Sequence, residues 1–417
     1  MIVHLIDGTY ELFRQFYGIR RFSKGEEGPF AAVNGVLHSV LQMFETGATH
    51  IGVATDHVIE SFRNDMWAFD SRGKLFTDRP SWSKLLQKGG YVTAIAGKWH
   101  CGAREPWDEH VGFDEYCLWE GPDKIKSHFG EDPIGSGARK DLKLSDTRYW
   151  YPSTVQNGKY LKVDEDGFGP DQRCDFLMDF MERMTKKKQP FVAYWPTVIP
   201  HGPYATTPDH GKPLDVELKK PDPKGLSKEA RARVMKAYNE KQAQRFVYLI
   251  EYMDKLIGQL MTKAEDLGIY ENTYFIFCAD NGTANTAKDR GVERGVHVPY
   301  VVRGPRIKRL GATNQLTDFA DVAPTLLEMA GIPIPKDVSF DGQSQLPFLT
   351  GKTKIHREWI YAYTGSVQVL RTKHHLLEAR SPLLGKPKGR FYFAGESRFG
   401  RGYKRAEDDP AHAPAFS

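Results

Sequence analysis

"GGYVTAIAGKWHCG", residues 89–102, decides the fold. Val92, Ala94, Ile95 and Ala96 form a short run of small and branched apolar residues, the pattern of a strand buried on both faces of a sheet. The run stops by presenting a cation, a large aromatic and an imidazole in succession: Lys98, Trp99 and His100. Open α/β sheets place their sites beyond the carboxyl ends of the strands. A strand that ends in this way predicts half of a site, and the other half must come from neighbouring strand ends.

Working outward, "PSWSKLLQKGG" (80–90) reads as a helix feeding that strand. Residues 103–170 are rich in Gly, Pro and charge and read as loops. "DQRCDFLMDFMERMTKKKQ" (171–189) has an amphipathic helical pattern and leads into "PFVAYWPTV" (190–198), a strong strand. The longest helical pattern lies in 227–268 and is closed by Gly268. "TYFIFCADNG" (273–282) and "HVPYVVRGP" (297–305) read as strands. "TDFADVAPTLLEMAG" (317–331) reads as a helix closed by Gly331. Upstream, "IVHLI" before Asp7 and "HIGVATDH" (50–57), which contains Asp56, flank the helical pattern of 31–47. Alternating strands and helices predict a doubly wound α/β sheet.

The totals fit that class. The chain has 417 residues, 40% apolar and 27% charged, with a net charge of +5. This describes a globular protein with a sizeable core, and so mild a basic excess does not point to nucleic acid. Cys101, Cys117, Cys174 and Cys278 are scattered without a CxxC pattern and read as buried free thiols. "MIVHLIDGTYELF" has none of the three regions of a secretory signal, and no apolar run approaches a membrane span. The expectation is a cytoplasmic protein with no membrane partner.

Four clusters carry chemistry. Lys98 and His100 end one strand, and His201 in "IPHGPY" follows another. Asp280 and Asn281 in "ADNG" end a third. Lys288 lies in the basic stretch "AKDRGVERGVHVP". Asp280 and Asn281 offer the oxygen ligands preferred by Ca²⁺ or Mg²⁺. The lysines suit a tetrahedral oxyanion, and the histidines suit proton transfer near neutral pH. Such a set fits hydrolysis of a sulfate or phosphate ester. Taken singly, each residue has a plainer explanation: a solvated lysine, a hydrogen-bonded histidine, a tight Asp-Asn-Gly turn.

Taken together and in order, "GYVTAIAGKWHCG", "FVAYWPTVIPHGPY", "FIFCADNGT" and "ERGVHVPYVVRGP" resemble the sulfatase family over about residues 75–405. The resemblance implies an alkaline-phosphatase-like α/β fold and a formylglycine nucleophile made from cysteine or serine. It implies Asp280 and Asn281 as two metal ligands, usually for Ca²⁺, and Lys98 and Lys288 as sulfate-binding residues. His100 would assist the formylglycine hydrate, and His201 would protonate the leaving alcohol. The ligand would be a sulfated small molecule or glycan. Cys101 stands where the family commonly has leucine.

Two elements of the family pattern have no match. No Cys-x-Pro-x-Arg or Ser-x-Pro-x-Arg occurs in the 417 residues, and the only Asp-Asp is Asp408-Asp409. The formylglycine precursor is therefore absent. The expected fold is an alkaline-phosphatase-like sheet lacking its usual first strand and nucleophile helix. In their place "LIDGTYELFRQFYG", "GPFAAVNGVLHSVLQMF" and "HIGVATDHVIESFRNDMW" resemble the start of a PIN-like 5′–3′ exonuclease over about 1–67. That resemblance implies Asp7 and Asp56 as nuclease-type Mg²⁺ ligands and Arg14, Arg20, Arg21 and Arg63 as phosphate contacts. The expected organisation is a nuclease-like β-α-β fragment over 1–67, a junction over 68–79, a sulfatase-like domain over 80–405 and a tail over 406–417. The expected function is that of a sulfatase-family protein impaired as a hydrolase. The alternatives are a nucleic-acid enzyme using Asp7 and Asp56, or a non-catalytic module that binds sulfate or phosphate esters.

Overall fold

The computed structural model describes residues 3–7, 50–54, 80–99, 109, 111–119, 148–161, 167–211, 220–222, 224–282, 293–364, 367–380, 390–393 and 404–405. Two strands near the start, β1 (Val3–Asp7) and β2 (His50–Ala54), pair in parallel with Val3 opposite His50 and Asp7 opposite Ala54. The parallel pairing is the one a β-α-β unit requires. The helix expected between them and the junction at 68–79 lie outside the described residues.

The main sheet is built on β3 (Val92–Lys98), the strand of the opening motif. It pairs in parallel with β4 (Glu115–Trp119) on one side and β7 (Phe191–Tyr194) on the other. Beyond β4 lie two short antiparallel strands, β5 (Thr154–Gln156) and β6 (Lys159–Tyr160), giving the order β6-β5-β4-β3-β7. The loop-rich expectation for 103–170 is thus corrected, because three strands occur there. "EYCLW" is too short to show a period, yet Tyr116, Cys117, Leu118 and Trp119 are all buried. The β5–β6 turn is Asn157-Gly158, with φ of 46° and 82°. Both residues have the positive φ that a two-residue hairpin demands. The Asn157 side chain also accepts the Tyr116 N–H at 2.8 Å, tying the turn to β4.

The small residues of β3 explain the packing. Ala94 and Ala96 share one face with Cys117 and meet Phe176, Leu177, Phe180 and Met184 of helix α2 (Gly169–Lys186). Alanine leaves room for those bulky side chains, so the helix comes close without voids. Ile95 points to the opposite face. There it joins Trp82, Leu85 and Leu86 of α1 (Trp82–Lys88) and Leu327 of α5, which spans Val322–Ala330. Helices thus cover both faces of the sheet. Ser81 caps α1 by accepting the Lys84 N–H at 3.0 Å. Helix α3 (Lys228–Asp266) packs its second half against α2 through Leu249, Tyr252, Met253 and Leu256.

Two further sheets depart from a single doubly wound plan. β8 (Phe275–Cys278) and β9 (Tyr300–Arg303) pair antiparallel, with the short helix α4 (Glu293–Val296) between them. At the C-terminal end, after the short helix α6 (Leu346–Leu349), comes an antiparallel meander of five strands. It runs β10 (Trp359–Thr364), β11 (Val367–Thr372), β12 (His375–Arg380), β13 (Arg390–Phe393) and β14 (Lys404–Arg405). Connections this short permit only antiparallel pairing.

The meander region is tied back to the body by a buried carboxylate. Asp321 is fully buried and accepts from His356 Nε2 at 2.9 Å, from Arg357 Nε at 2.8 Å and from the Gln343 N–H at 2.9 Å. Arg357 Nη2 makes a further contact to the same carboxylate.

Candidate functional site

Three segments carry the candidate residues, two of them joined at the carboxyl end of the parallel strands. The first is the end of β3. Gly97 has a φ of 140°, and a Cβ there would lie 2.2 Å from the Pro196 carbonyl oxygen. Only glycine fits so close a backbone approach. The approach lets the Lys98 N–H donate to Pro196 at 2.8 Å, which locks the segment after β7 against the end of β3. Lys98 emerges half-exposed. Trp99 turns back into the core, edge-on to Phe113 at 6.4 Å, as packing chemistry predicts.

The second segment carries His201. Its backbone is held by Tyr149, whose hydroxyl lies 3.0 Å from the Val198 carbonyl and 2.8 Å from the His201 carbonyl. Tyr149 is buried, and burial pushes its phenol well above the ordinary value, so it stays a donor. The peptide bonds Ile199-Pro200 and Gly202-Pro203 on either side of His201 are cis. His201 itself is exposed.

A residue with no signal in the sequence joins these two segments. Arg148 places Nη1 2.9 Å from His201 Nδ1 and also contacts the Gly202 carbonyl. Its guanidinium sits 5.0 Å over the ring of Trp119. Trp119 is the register partner of Lys98 across β3 and β4. The series Lys98, Trp119, Arg148, His201 therefore connects two of the expected residues through neighbouring strand ends. Nδ1 also lies 2.6 Å from the Gly202 carbonyl. A guanidinium only donates, so when Arg148 bonds Nδ1 the ring proton resides on Nε2.

The third segment follows β8. Phe277 packs against the cluster that holds Trp119, Val198 and Ile199, which sets β8 beside the His201 loop. Asp280 is exposed, and its Oδ1 accepts the Asn281 N–H at 2.9 Å. Asp280 Oδ2 and the Asn281 amide make no hydrogen bond among the described residues. They fit a hard divalent cation in kind, though two ligands fall short of the six to eight oxygens Ca²⁺ takes. Among the described residues no group of three or more His, Cys, Asp or Glu could hold a metal ion.

His100, Lys288 and Asp56 lie outside the described residues, as do the Asp7 side chain and Cys101. Cys117 and Cys174 are buried free thiols, as expected; burial pushes them up to about 11 and about 12, so neither is an activated nucleophile. Cys278 departs from expectation, since it is exposed. No helix among the described residues is long and apolar enough to cross a membrane.

A cation and a guanidinium-held imidazole thus stand at linked strand ends, and a carboxylate–amide pair follows β8. The sulfatase family model matches residues 42–332, and a model for the C-terminal region of N-sulphoglucosamine sulphohydrolase matches residues 288–377. The chain belongs to the sulfatase family. The first match opens at residue 42, ahead of the junction expected at 68–79.

Among its relatives are N-acetylgalactosamine-6-sulfatase of Canis lupus familiaris, 28% identical over 68% of this chain and 50% of that protein, and human arylsulfatase A, 26% identical over 70% and 55%. An ulvan-active sulfatase of Formosa agariphila is 31% identical over 45% of this chain and 35% of its own. The chain spans about half the length of the first two. Its fold is similar to that of BT4656, solved in complex with its substrate D-glucosamine-2-N,6-O-disulfate. The TM-score is 0.56 at 20% identity, covering 78% of this chain and 77% of that one.

Proposed function

We propose that this chain binds the sulfate group of a sulfated small molecule or glycan at the carboxyl ends of β3, β7 and β8. The observation that carries this is the link from Lys98 through Trp119 and Arg148 to His201. Lys98 supplies an ammonium for the sulfate oxygens. Arg148 holds the imidazole so that Nε2–H donates a hydrogen bond to the ester oxygen. Asp280 and Asn281 supply two of the ligands for Ca²⁺ or Mg²⁺, which would neutralise charge on the ester. His100 and Lys288 complete the set by resemblance.

Hydrolysis through formylglycine is not expected of these 417 residues. The sequence contains no Cys/Ser-x-Pro-x-Arg, and losing a covalent nucleophile removes most of the rate while leaving binding in place. The test has two arms. Calorimetric titration with a sulfated monosaccharide in Ca²⁺ should show binding that Lys98→Ala weakens at least tenfold; no Lys98-dependent binding would overturn the site. Co-expression with a formylglycine-generating enzyme should yield no turnover of nitrocatechol sulfate. Turnover abolished by Lys98→Ala would overturn the impairment and leave an active sulfatase.

A nuclease role for the start of the chain is favoured only by the parallel pairing of β1 and β2, with Asp7 at a strand's carboxyl end. Mg²⁺-dependent cleavage of DNA that Asp7→Ala and Asp56→Ala each abolish would establish it; DNA left intact by the unaltered chain would dismiss it.

A further inference from the structure

Helix α3 is 39 residues long, about 58 Å at the usual rise, and its fully buried residues all lie in its second half. From Arg245 onward it grips the loop that follows His201. Arg245 Nη1 donates to the Tyr204 carbonyl at 3.2 Å, Phe246 meets the Tyr204 ring edge-on at 5.3 Å, and Tyr248 stacks on His210 at 3.5 Å. The buried residues of the helix begin at Leu249.

The preceding stretch is strongly basic. Residues 220–245 hold eight lysines and arginines against three acids, a net of +5. The net charge of all 417 residues is also +5, so the rest of the chain is neutral in sum. Lys228, Arg231, Arg233, Lys236 and Lys241 are all exposed. Only Lys236 has an ion-pair partner among the described residues, Glu240 at 3.9 Å. Lone cations kept in water at this density repel one another, and a polyanion relieves that repulsion while releasing its own counterions. Arg231, Lys241 and Arg245 fall within one 80° sector of the helix, a run of about 21 Å. That run ends three residues along the chain from His201, at the Tyr204 carbonyl.

We propose that the first half of α3 is a docking surface for a sulfated polysaccharide, which it holds beside the sulfate site so that one ester of the chain enters it. This rests on the sulfate-binding role above and deepens it, from a single sulfate group to a polymer of them. The contiguity of the cations with the His201 loop favours a sulfated glycan over a nucleic acid.

The test uses the full chain, titrated with dextran sulfate, neutral dextran, single-stranded DNA and a sulfated monosaccharide at several salt concentrations. The variant is Arg231→Gln/Arg233→Gln/Lys241→Gln, which keeps good helix formers in exposed positions. Its thermal melt should match that of the unaltered protein. The expected result is a dextran sulfate affinity reduced at least tenfold with a shallower salt dependence, while the affinity for the monosaccharide is unchanged. Equal affinity of variant and unaltered protein for dextran sulfate would overturn the proposal. So would binding of DNA more tightly than dextran sulfate, which would make the surface one for nucleic acid. Polymer binding that depends on the helix cations but not on Lys98, with no binding of the monosaccharide, would leave this surface standing while the sulfate site fails.

Discussion

Arg148 and His201 are 53 residues apart in sequence, and their side chains meet at 2.9 Å, Nη1 to Nδ1. The contact turns Nδ1 of the ring toward Arg148 and the Gly202 carbonyl. A planar guanidinium can donate to Nδ1 and to the Gly202 carbonyl from one nitrogen, and its stacking on Trp119 holds it in place. Arg148→Ala should leave the ring free to rotate and to change tautomer. Long-range ¹H–¹⁵N correlation spectra of the unaltered protein should show the proton of His201 on Nε2, and the variant should show a mixture. Affinity for a sulfated monosaccharide should fall about tenfold, and Arg148→Lys should not restore it.

Gly97→Ala should destabilise the whole sheet. The added methyl would overlap the Pro196 carbonyl, and backbone cannot yield as a side chain does. The expected loss is about 3 kcal/mol, read as a lower urea midpoint with an unchanged slope. An alanine at Gly90, where φ is also positive but nothing lies within 4 Å, should cost less, about 1 kcal/mol.

Asp321 should make the protein acid-sensitive in a defined window. Burial alone would raise its pKa, but hydrogen bonds from His356, Arg357 and the Gln343 N–H outweigh burial and hold it at about 2. The unfolded value is 3.8. A depressed carboxylate stabilises fully above the unfolded value and loses that contribution as pH falls through the folded one. Stability should therefore drop by about 2 kcal/mol between pH 4 and 2 on account of this residue. Asp321→Asn should flatten that part of the profile. It should also destabilise at pH 7 by about 3–5 kcal/mol, because Arg357 loses its partner.

Arg173→Met should be neutral or stabilising. Arg173 is fully buried; among the described residues its Nε and Nη1 have no hydrogen-bond partner, and its one bond, to Thr154 Oγ1, is long at 3.4 Å. Burial pulls its pKa down to about 10. An unpaired charge in the core is costly, and an apolar side chain of similar length should gain about 1–4 kcal/mol in chemical unfolding. A loss greater than 1 kcal/mol would mean that the guanidinium has partners of its own in solution, such as an internal water.

Much of the main sheet was legible in the sequence because apolar periodicity reports burial directly. The strand at 92–98 and the helices of 171–189 and 227–268 stand within two or three residues of where the pattern puts them. The strand at 190–198 is shorter, ending at Tyr194, because Pro196 cannot extend a ladder. "EYCLW" carries no usable period in five residues, and the Asn157-Gly158 hairpin signal lies in a stretch whose composition reads as loop. The meander of 359–405 was not foreseen at all; its strands depend on one another rather than on a helix. In the candidate site, Lys98 and His201 stand out by their motifs, and Trp119 and Arg148 link the segments that carry them. Arg148 does not, because nothing local in "SDTRYW" says that the chain returns to the His201 loop.

The contact of Gly97 with Pro196 sets the spacing of the site by main chain alone. Lys98 and the segment leading to His201 are registered by a peptide–peptide hydrogen bond, and the side chains that would choose a ligand lie elsewhere. The proposed anion seat and the proposed docking surface on α3 are thus separable parts: a change in α3 leaves the Gly97–Pro196 spacing as it is.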